Sequence, residues 1–188
     1  MRKGKKRHAA FSVSLPAVLA FAFWALAEGS AAAIVPITAA LLHEAGHLLA
    51  MSLCGVPVDR INICVAGAEI RGRHTGAGKT AMTAVYLAGP LVNLISGAAS
   101  AASGWDIFAL CSFALAAVNL LPVRTLDGGN ALSVLLSDFS WGERFVSVMS
   151  AVSVFLLWLV SVCLLFLSDG NLSLLAFVVC VFTELYLA

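Results

Sequence analysis

Two histidines and a glutamate stand together in an otherwise apolar stretch, His43-Glu44-Ala45-Gly46-His47, which is the HExxH pattern. Residues four apart share one face of a helix, so His43 and His47 can point at one metal ion. Neutral imidazoles are good zinc ligands, and Glu44 lies where it can hold a water and take its proton. The pattern predicts a hydrolytic zinc site; the competing interpretation is a polar cluster that ties helices together.

The composition places these polar residues in a membrane. Of the 188 residues, 61% are hydrophobic and 11% are charged, and the mean hydropathy is +1.00. Soluble domains carry about 25% charged residues. A charged residue at bilayer depth costs on the order of 2.5–3.5 kcal/mol on insertion scales, which favours a functional metal site over a structural cluster. The net charge of +1 carries no indication of nucleic acid as a partner, and none is expected.

The apolar runs predict an all-α polytopic membrane protein, with residues 1–188 forming one domain of about six transmembrane helices. The predicted spans are residues 9–27, 31–54, 80–102, 105–121, 144–167 and 171–187. The first run could instead be a signal peptide cleaved after Ala25-Leu26-Ala27. Its length exceeds the usual apolar region of roughly 7–15 residues, which favours an uncleaved span.

Residues 55–75 differ in character from the spans around them. Ile61, Ile63 and Val65 alternate along the chain, β-branched residues are common, and Gly67 interrupts the run. This pattern predicts a short membrane-associated β-hairpin or ribbon after the second helix. Its edge could pair with an extended substrate, and an ordinary surface hairpin is the alternative.

A second polar segment interrupts the apolar pattern after the fourth span. Pro122 and the pair Gly128-Gly129 break the helix, which is tolerated at membrane depth only inside protein or beside a water-filled cavity. Catalytic zinc usually has three protein ligands, and Asp127 is the best candidate for the third. An N-cap of a helix over residues 128–137 would also explain an aspartate there.

The distribution of basic residues predicts the orientation. Of the eleven lysines and arginines, five lie in residues 1–8, four in 55–80 and two in 122–144. With six spans these three segments lie on one side, which the positive-inside rule makes cytoplasmic. Both termini, the end of the HExxH helix and Asp127 are then expected at the cytoplasmic side.

The sequence resembles the site-2 protease family of intramembrane zinc metalloproteases in two separate motifs. These are His43-Glu44-Ala45-Gly46-His47 and Asn119…Pro122…Leu126-Asp127-Gly128-Gly129, with Gly89-Pro90…Asn93 as a further matching element. The resemblance covers about residues 31–137, and the compact layout without a PDZ domain is similar to the branch of stage IV sporulation protein FB. That branch often carries CBS motifs after the last span, and this sequence departs from that pattern. The resemblance therefore does not extend to ATP control through such motifs or to a specific sporulation substrate.

The resemblance implies a role for each motif residue. His43, His47 and Asp127 would bind one Zn²⁺, Glu44 would be the general base, and Asn119 would stabilise the oxyanion of the attacked carbonyl. The implied reaction is regulated intramembrane proteolysis, the hydrolysis of a peptide bond within or next to a transmembrane segment. For Asn119, a hydrogen bond between helices is the alternative.

The same hydrogen-bonding alternative applies to Asn93, which could bond between helices or act at the site directly. The expected partners are a membrane-anchored protein substrate and the lipid bilayer, with a membrane-protein regulator or a second copy of the chain as further candidates. The expected location is a bacterial plasma membrane, as a multi-pass protein. Two other functions stay open: a non-catalytic membrane regulator that keeps the metal site, and a divalent-metal permease. The intact Glu44 disfavours the first, and the lack of repeated halves disfavours the second.

Overall fold

The computed structural model describes residues 10–13, 30–56, 58–64, 67–72 and 77–167. Within these residues the chain forms five helices and three strands. In chain order they are β1 (Ala10–Val13), α1 (Ser30–Cys54), β2 (Val58–Cys64), β3 (Gly67–Gly72), α2 (Lys79–Ala102), α3 (Asp106–Asn119), α4 (Asp127–Leu136) and α5 (Gly142–Leu167).

Three of these helices are long and apolar enough to cross a membrane. They cover Ile34–Cys54, Lys79–Ala102 and Gly142–Cys163, with mean hydropathies of 1.4, 1.4 and 2.3. Even the shortest, at 21 residues, reaches about 31 Å at 1.5 Å per residue, the thickness of a hydrocarbon core. Large apolar side chains such as Leu41, Leu49 and Leu53 are exposed, which suits contact with lipid. The prediction of a mainly helical membrane protein is confirmed.

Helix α2 is central, because it packs against α1, α3 and α4. Glycines allow close approach at two of these contacts. A Cβ at Gly46 of α1 would lie 2.8 Å from the carbonyl oxygen of Ala88, and one at Gly97 would lie 2.9 Å from the Phe113 ring. Small residues of this kind bring membrane helices close enough for their backbones to touch. Helices α1 and α3 can therefore both pack closely against α2.

The end of α1 is fixed by a glycine turn. Gly55 has a φ of 67°, and the N–H of Val56 donates to the carbonyl oxygen of Met51 at 2.8 Å. This Schellman arrangement satisfies a carbonyl that the helix end would leave open. Val56 and Met51 then pack with Met82 and Val85 of α2 in a buried apolar cluster. This cluster holds the C-terminal end of α1 against α2.

The three strands form one small sheet in the order β1-β2-β3. Strands β2 and β3 pair antiparallel, with Ile61 opposite Ile70 and an irregularity between Val58 and Arg60. Strand β1 pairs with β2 in parallel, with Phe11 opposite Ile61. Strands thus occur where the alternating sequence predicted a ribbon, and the association of that ribbon with the membrane stays a prediction.

The pairing of β1 corrects the predicted start of the first span. Residues 10–13 were expected within a helix over 9–27, whereas they form a strand. The physical reason lies in the alternation of Phe11 and Val13 with Ser12 and Ser14, a period of two that suits a strand better than a helix. The rest of that predicted span, from residue 14 on, lies outside the described residues, as does the predicted span over 171–187.

Helices α1, α2, α3 and α5 fall on the other four predicted spans. Helix α3 has 14 residues and ends at Asn119 rather than at 121, so it is too short to count among the long candidates. The six-span count and the single-domain organisation stay predictions.

Candidate metal centre

Both histidines of the HExxH motif lie in the interior, against α2. His43 and His47 are 4% and 6% exposed, while their neighbours Leu42 and Leu48 are exposed. The spacing of four residues places both imidazoles on one face of α1, and their Nε2 atoms lie 3.1 Å apart. The helix thus presents two nitrogen ligands to one point.

The orientation of His47 is fixed by the backbone of α2. Its Nδ1 atom lies 2.7 Å from the carbonyl oxygen of Val85. A carbonyl can only accept a hydrogen bond, so Nδ1 of His47 carries the proton and donates it. In the neutral ring Nε2 then keeps its lone pair, which is the form that binds a metal. Sequence reasoning missed this contact, because a backbone acceptor leaves no side-chain signal.

Asp127 comes from the second motif and joins the two imidazoles. Its Oδ2 atom lies 2.9 Å from Nε2 of His43 and 3.2 Å from Nε2 of His47. Asp127 is the first residue of α4, and the N-cap position before it is held by Leu126, which makes no side-chain capping hydrogen bond. Asp127 is therefore not the N-cap residue of α4, and its carboxylate contacts the two histidines instead.

The three side chains fit a metal ion by donor type, distance and charge. Ligands at about 2.0–2.2 Å in a tetrahedron lie roughly 3.3–3.6 Å apart. The observed separations of 2.9, 3.1 and 3.2 Å need only a small outward shift. Burial raises the pKa of the Asp127 carboxyl, but the neighbouring imidazoles of His43 and His47 outweigh it and lower the pKa below its ordinary value. The cluster therefore offers two imidazole nitrogens and one carboxylate, a donor set that zinc accepts.

Gly89 of α2 lies directly against the two imidazoles. A Cβ at this position would come within 2.7 Å of His43 Nε2 and even closer to His47. Only a glycine leaves this space open for the ligand atoms and for what they bind. The pair Gly89-Pro90 fitted the family pattern in the sequence, yet the reason for the glycine becomes visible only when α1 lies against α2.

Asn93, one turn further along α2, contacts the opposite side of the His43 ring. Its Nδ2 atom lies 3.1 Å from His43 Nδ1, and its side chain is completely buried. Sequence analysis left open an interhelical hydrogen bond or a direct role at the site. The bond observed is interhelical, and its acceptor is one of the motif histidines.

The loop that carries Asp127 is attached to α5 by a buried serine. The Ser150 hydroxyl donates to the carbonyl oxygen of Pro122 at 3.1 Å and accepts from the N–H of Arg124 at 3.0 Å. Val123 between them is buried against Val154. These contacts fix the non-helical loop between α3 and α4 to α5.

The two glycines after Asp127 allow α4 to start close to this loop. A Cβ at Gly128 would lie 2.7 Å from the carbonyl oxygen of Leu121, and one at Gly129 would clash with that of Val123. The motif Asp-Gly-Gly thus combines a candidate ligand with glycines whose close backbone packing orients Asp127 toward the histidines.

Glu44 follows His43 on α1. It is partly buried and interacts electrostatically with His47.

Asn119, the last residue of α3, is also partly buried, and its Nδ2 atom donates to the carbonyl oxygen of Leu115 at 3.0 Å within its own helix. Among the described residues, the metal cluster contains His43, His47 and Asp127, and Asn119 is not part of it.

Comparisons with known proteins agree with this arrangement. A sequence model of peptidase family M50 matches residues 98–160, a stretch that contains Asn119 and Asp127 and begins after the HExxH motif. The structure is similar to that of a site-2 protease from Methanocaldococcus jannaschii, with a TM-score of 0.70 and 18% identity over 95% of this chain and 90% of that one. No curated protein matches the sequence.

The fold and the His-His-Asp cluster define the class as a helical membrane protein with a candidate metal centre. The match to the M50 peptidase family supports a membrane metalloprotease, and the similarity to the solved structure supports the fold. The resemblance to the site-2 protease family that the two motifs predict is confirmed.

Proposed function

We propose that this protein is an intramembrane zinc metalloprotease that hydrolyses a peptide bond within or next to a transmembrane segment of a membrane-tethered protein. The observation that carries the proposal is the convergence of His43, His47 and Asp127, from two separate motifs, on one point inside a helical membrane protein. The M50 family match supports peptide hydrolysis as the chemistry.

His43, His47 and Asp127 would hold one zinc ion. When bound at such a site, zinc acts as a Lewis acid and makes hydroxide available near neutral pH. A set of three protein ligands is typical of catalytic zinc sites, whereas structural sites usually have four.

Glu44 is the residue we assign to proton transfer. It follows His43 on α1 and interacts electrostatically with His47, and it is not one of the three clustered ligands. As general base it would take a proton from the attacking water and pass it to the leaving amine. A site that only bound a metal would not need an acid at this position.

Asn119 is the residue we assign to the carbonyl of the substrate. Its amide could donate from Nδ2 to the oxygen that becomes negative as water attacks. In the structure that group donates to the carbonyl oxygen of Leu115, so the side chain would exchange this bond for one with substrate. Its place at the end of α3, before the loop that carries Asp127, supports this assignment.

The small sheet supplies a way to hold the substrate extended. A helical segment must be locally unwound before water can reach its peptide bonds. Strand β3 is at one side of the sheet and pairs with β2 alone among the described strands. An extended substrate could add to such an edge through backbone hydrogen bonds.

The expected setting is the plasma membrane of a bacterium, with both termini and the active-site side facing the cytoplasm. The basic clusters support this orientation through the positive-inside rule. The partner is a membrane-anchored protein substrate within the bilayer, and a membrane-protein regulator or a second copy of the chain is also compatible.

The proposal is tested with Glu44→Gln in the full-length protein, co-expressed with a panel of membrane-tethered substrates. We expect Glu44→Gln to keep wild-type zinc content and to lose cleavage by at least about 100-fold, the scale of general-base catalysis. Asp106→Asn, which changes an exposed carboxylate at the start of α3, is the matched control and should cleave normally. Equal cleavage by Glu44→Gln and wild type would contradict the role of Glu44. A zinc-loaded wild type inert toward all substrates would favour a non-catalytic regulator.

A further inference from the structure

Asn93 contacts the His43 ring on the side away from Asp127. Its Nδ2 atom lies 3.1 Å from His43 Nδ1, while His43 Nε2 faces Asp127 at 2.9 Å. The Asn93 side chain is 0% exposed, and its Oδ1 atom has no hydrogen-bond partner among the described residues. The amide is thus held against a motif histidine with one of its two polar atoms in use.

The two histidines face hydrogen-bonding partners of different kinds. His47 faces the Val85 carbonyl, which can only accept, so its Nδ1 is always the donor. His43 faces an amide, which can donate from Nδ2 or accept at Oδ1. The nitrogen of neutral His43 that carries the proton therefore depends on which end of the amide faces the ring.

The contacts of the His43 ring with Asn93 and with Asp127 agree on the position of its proton. Asn93 Nδ2 donates to His43 Nδ1, so the ring proton is on Nε2 and is donated to Asp127 Oδ2. A metal needs the lone pair of Nε2, which requires the proton to be on Nδ1 instead. Asn93 must then present Oδ1, and a half-turn of its amide provides this with almost no change of shape.

We propose that Asn93 is a positioning residue of the metal centre, whose amide turns over so that Oδ1 accepts from His43 Nδ1 and leaves Nε2 free to bind the metal. The inference rests on the proposed metal centre. Histidines that bind metals almost always donate their other ring N–H to an oxygen acceptor. For His47 that acceptor is the Val85 carbonyl, and the Asn93 amide supplies the equivalent for His43.

Zinc affinity of the purified full-length protein tests this role. Asn93→Leu keeps the approximate shape without polar atoms, and Asn93→Asp can only accept. We expect Asn93→Leu to weaken zinc binding roughly 10–100-fold, the usual effect of losing such a partner. Asn93→Asp should bind zinc at least as tightly as wild type. Ser112→Ala removes another completely buried polar group of the helix contacts and should leave zinc affinity unchanged.

A bond that only joins helices predicts a different result. Asn93→Leu would then lower the melting temperature, while each folded molecule would bind zinc as wild type does. Wild-type affinity in Asn93→Leu, or equal losses in Asn93→Leu and Asn93→Asp, would overturn the proposal.

Nitrogen-15 NMR of the histidine side chains in the wild type gives a measurement that needs no variant. We expect the His43 proton on Nε2 before zinc is added and on Nδ1 afterwards. The same protonated nitrogen in both samples would refute the turnover of the amide. A wild type that binds no zinc would contradict the proposed metal centre itself, whereas zinc binding indifferent to Asn93 would contradict this inference alone.

Discussion

The Nε2 atom of His43 lies 2.9 Å from the Oδ2 atom of Asp127, although 84 positions separate the two residues in the sequence. Neither of their helices brings this about alone. Helix α2 packs against both α1 and α4, and it faces the cluster with Gly89, Asn93 and the carbonyl of Val85. Helix α2 supplies no candidate ligand, but it packs against both helices that do and so brings their side chains together.

Replacing Asp127 should remove the metal. In Asp127→Ala the two imidazoles lose their carboxylate partner, so the site keeps two of its three candidate ligands. We expect zinc affinity to fall by more than about 100-fold, since even partners outside the ligand set are worth roughly 10–100-fold. Metal analysis of purified protein measures this. Asp138→Asn is the control, because that exposed carboxylate pairs with Lys79 away from the cluster. One zinc per chain in Asp127→Ala would exclude Asp127 as a ligand.

A side chain at Gly89 should close the site. The added Cβ of Gly89→Ala would lie 2.7 Å from His43 Nε2, inside van der Waals contact, so α1 and α2 must separate. We expect zinc binding to be lost and the free energy of unfolding to fall by about 1–3 kcal/mol, as in other overpacked interiors. Denaturation in detergent and zinc titration measure the two effects.

Gly78→Ala provides the comparison for Gly89→Ala. Gly78 precedes α2, its φ is −65°, and an added Cβ there would meet nothing within 4 Å. It should change stability by less than about 0.5 kcal/mol. Similar behaviour of the two alanine variants would mean that the space beside the histidines does not require glycine.

Removing the Ser150 hydroxyl should loosen the loop that carries Asp127. Ser150→Ala leaves the Pro122 carbonyl and the Arg124 N–H without this partner, at a cost of about 1–3 kcal/mol for a buried polar group. We expect a lower melting temperature together with weaker zinc binding, because the loop positions the third ligand. Ser137→Ala, an exposed serine bonded within its own helix, should change neither quantity. Unchanged zinc affinity in a destabilised Ser150→Ala protein would limit the serine to a structural role.

Cysteine labelling from one side of the membrane should reveal the orientation. The turn near Gly104 lies at the end of α2 opposite Lys79 and has no basic residue, so the positive-inside rule assigns it to the outside. In a variant whose five native cysteines are replaced by alanine, a membrane-impermeant maleimide added to intact cells should label Ser103→Cys in this turn. It should leave Gly78→Cys unlabelled until the cells are opened. The reverse pattern would place the active-site side outside the cytoplasm.

The two motifs could be identified from the sequence because their chemistry depends on the types and spacing of side chains. A pair of histidines with a glutamate in an apolar run is costly in a membrane, and helix periodicity alone places His43 and His47 on one face. Asp127 stood out for a similar reason, as an acid beside two glycines and after a proline. Periodicity also located α1, α2 and α5, since a transmembrane helix requires a long apolar run. It failed at residues 10–13, where the long apolar run concealed a short alternation of period two, and where the structure pairs β1 with β2.

The sequence by itself thus determined the membrane setting, the main helices and the residue types able to hold a metal. The tertiary structure decided which groups meet: Asp127 reaches the histidines instead of capping α4, Gly89 leaves room for them, and Asn93 faces His43. Contacts of this kind depend on how helices distant in the chain pack together. The need for glycine at a contact, or for a backbone carbonyl such as that of Val85, has no local signature, because it arises only when a second helix lies against the first.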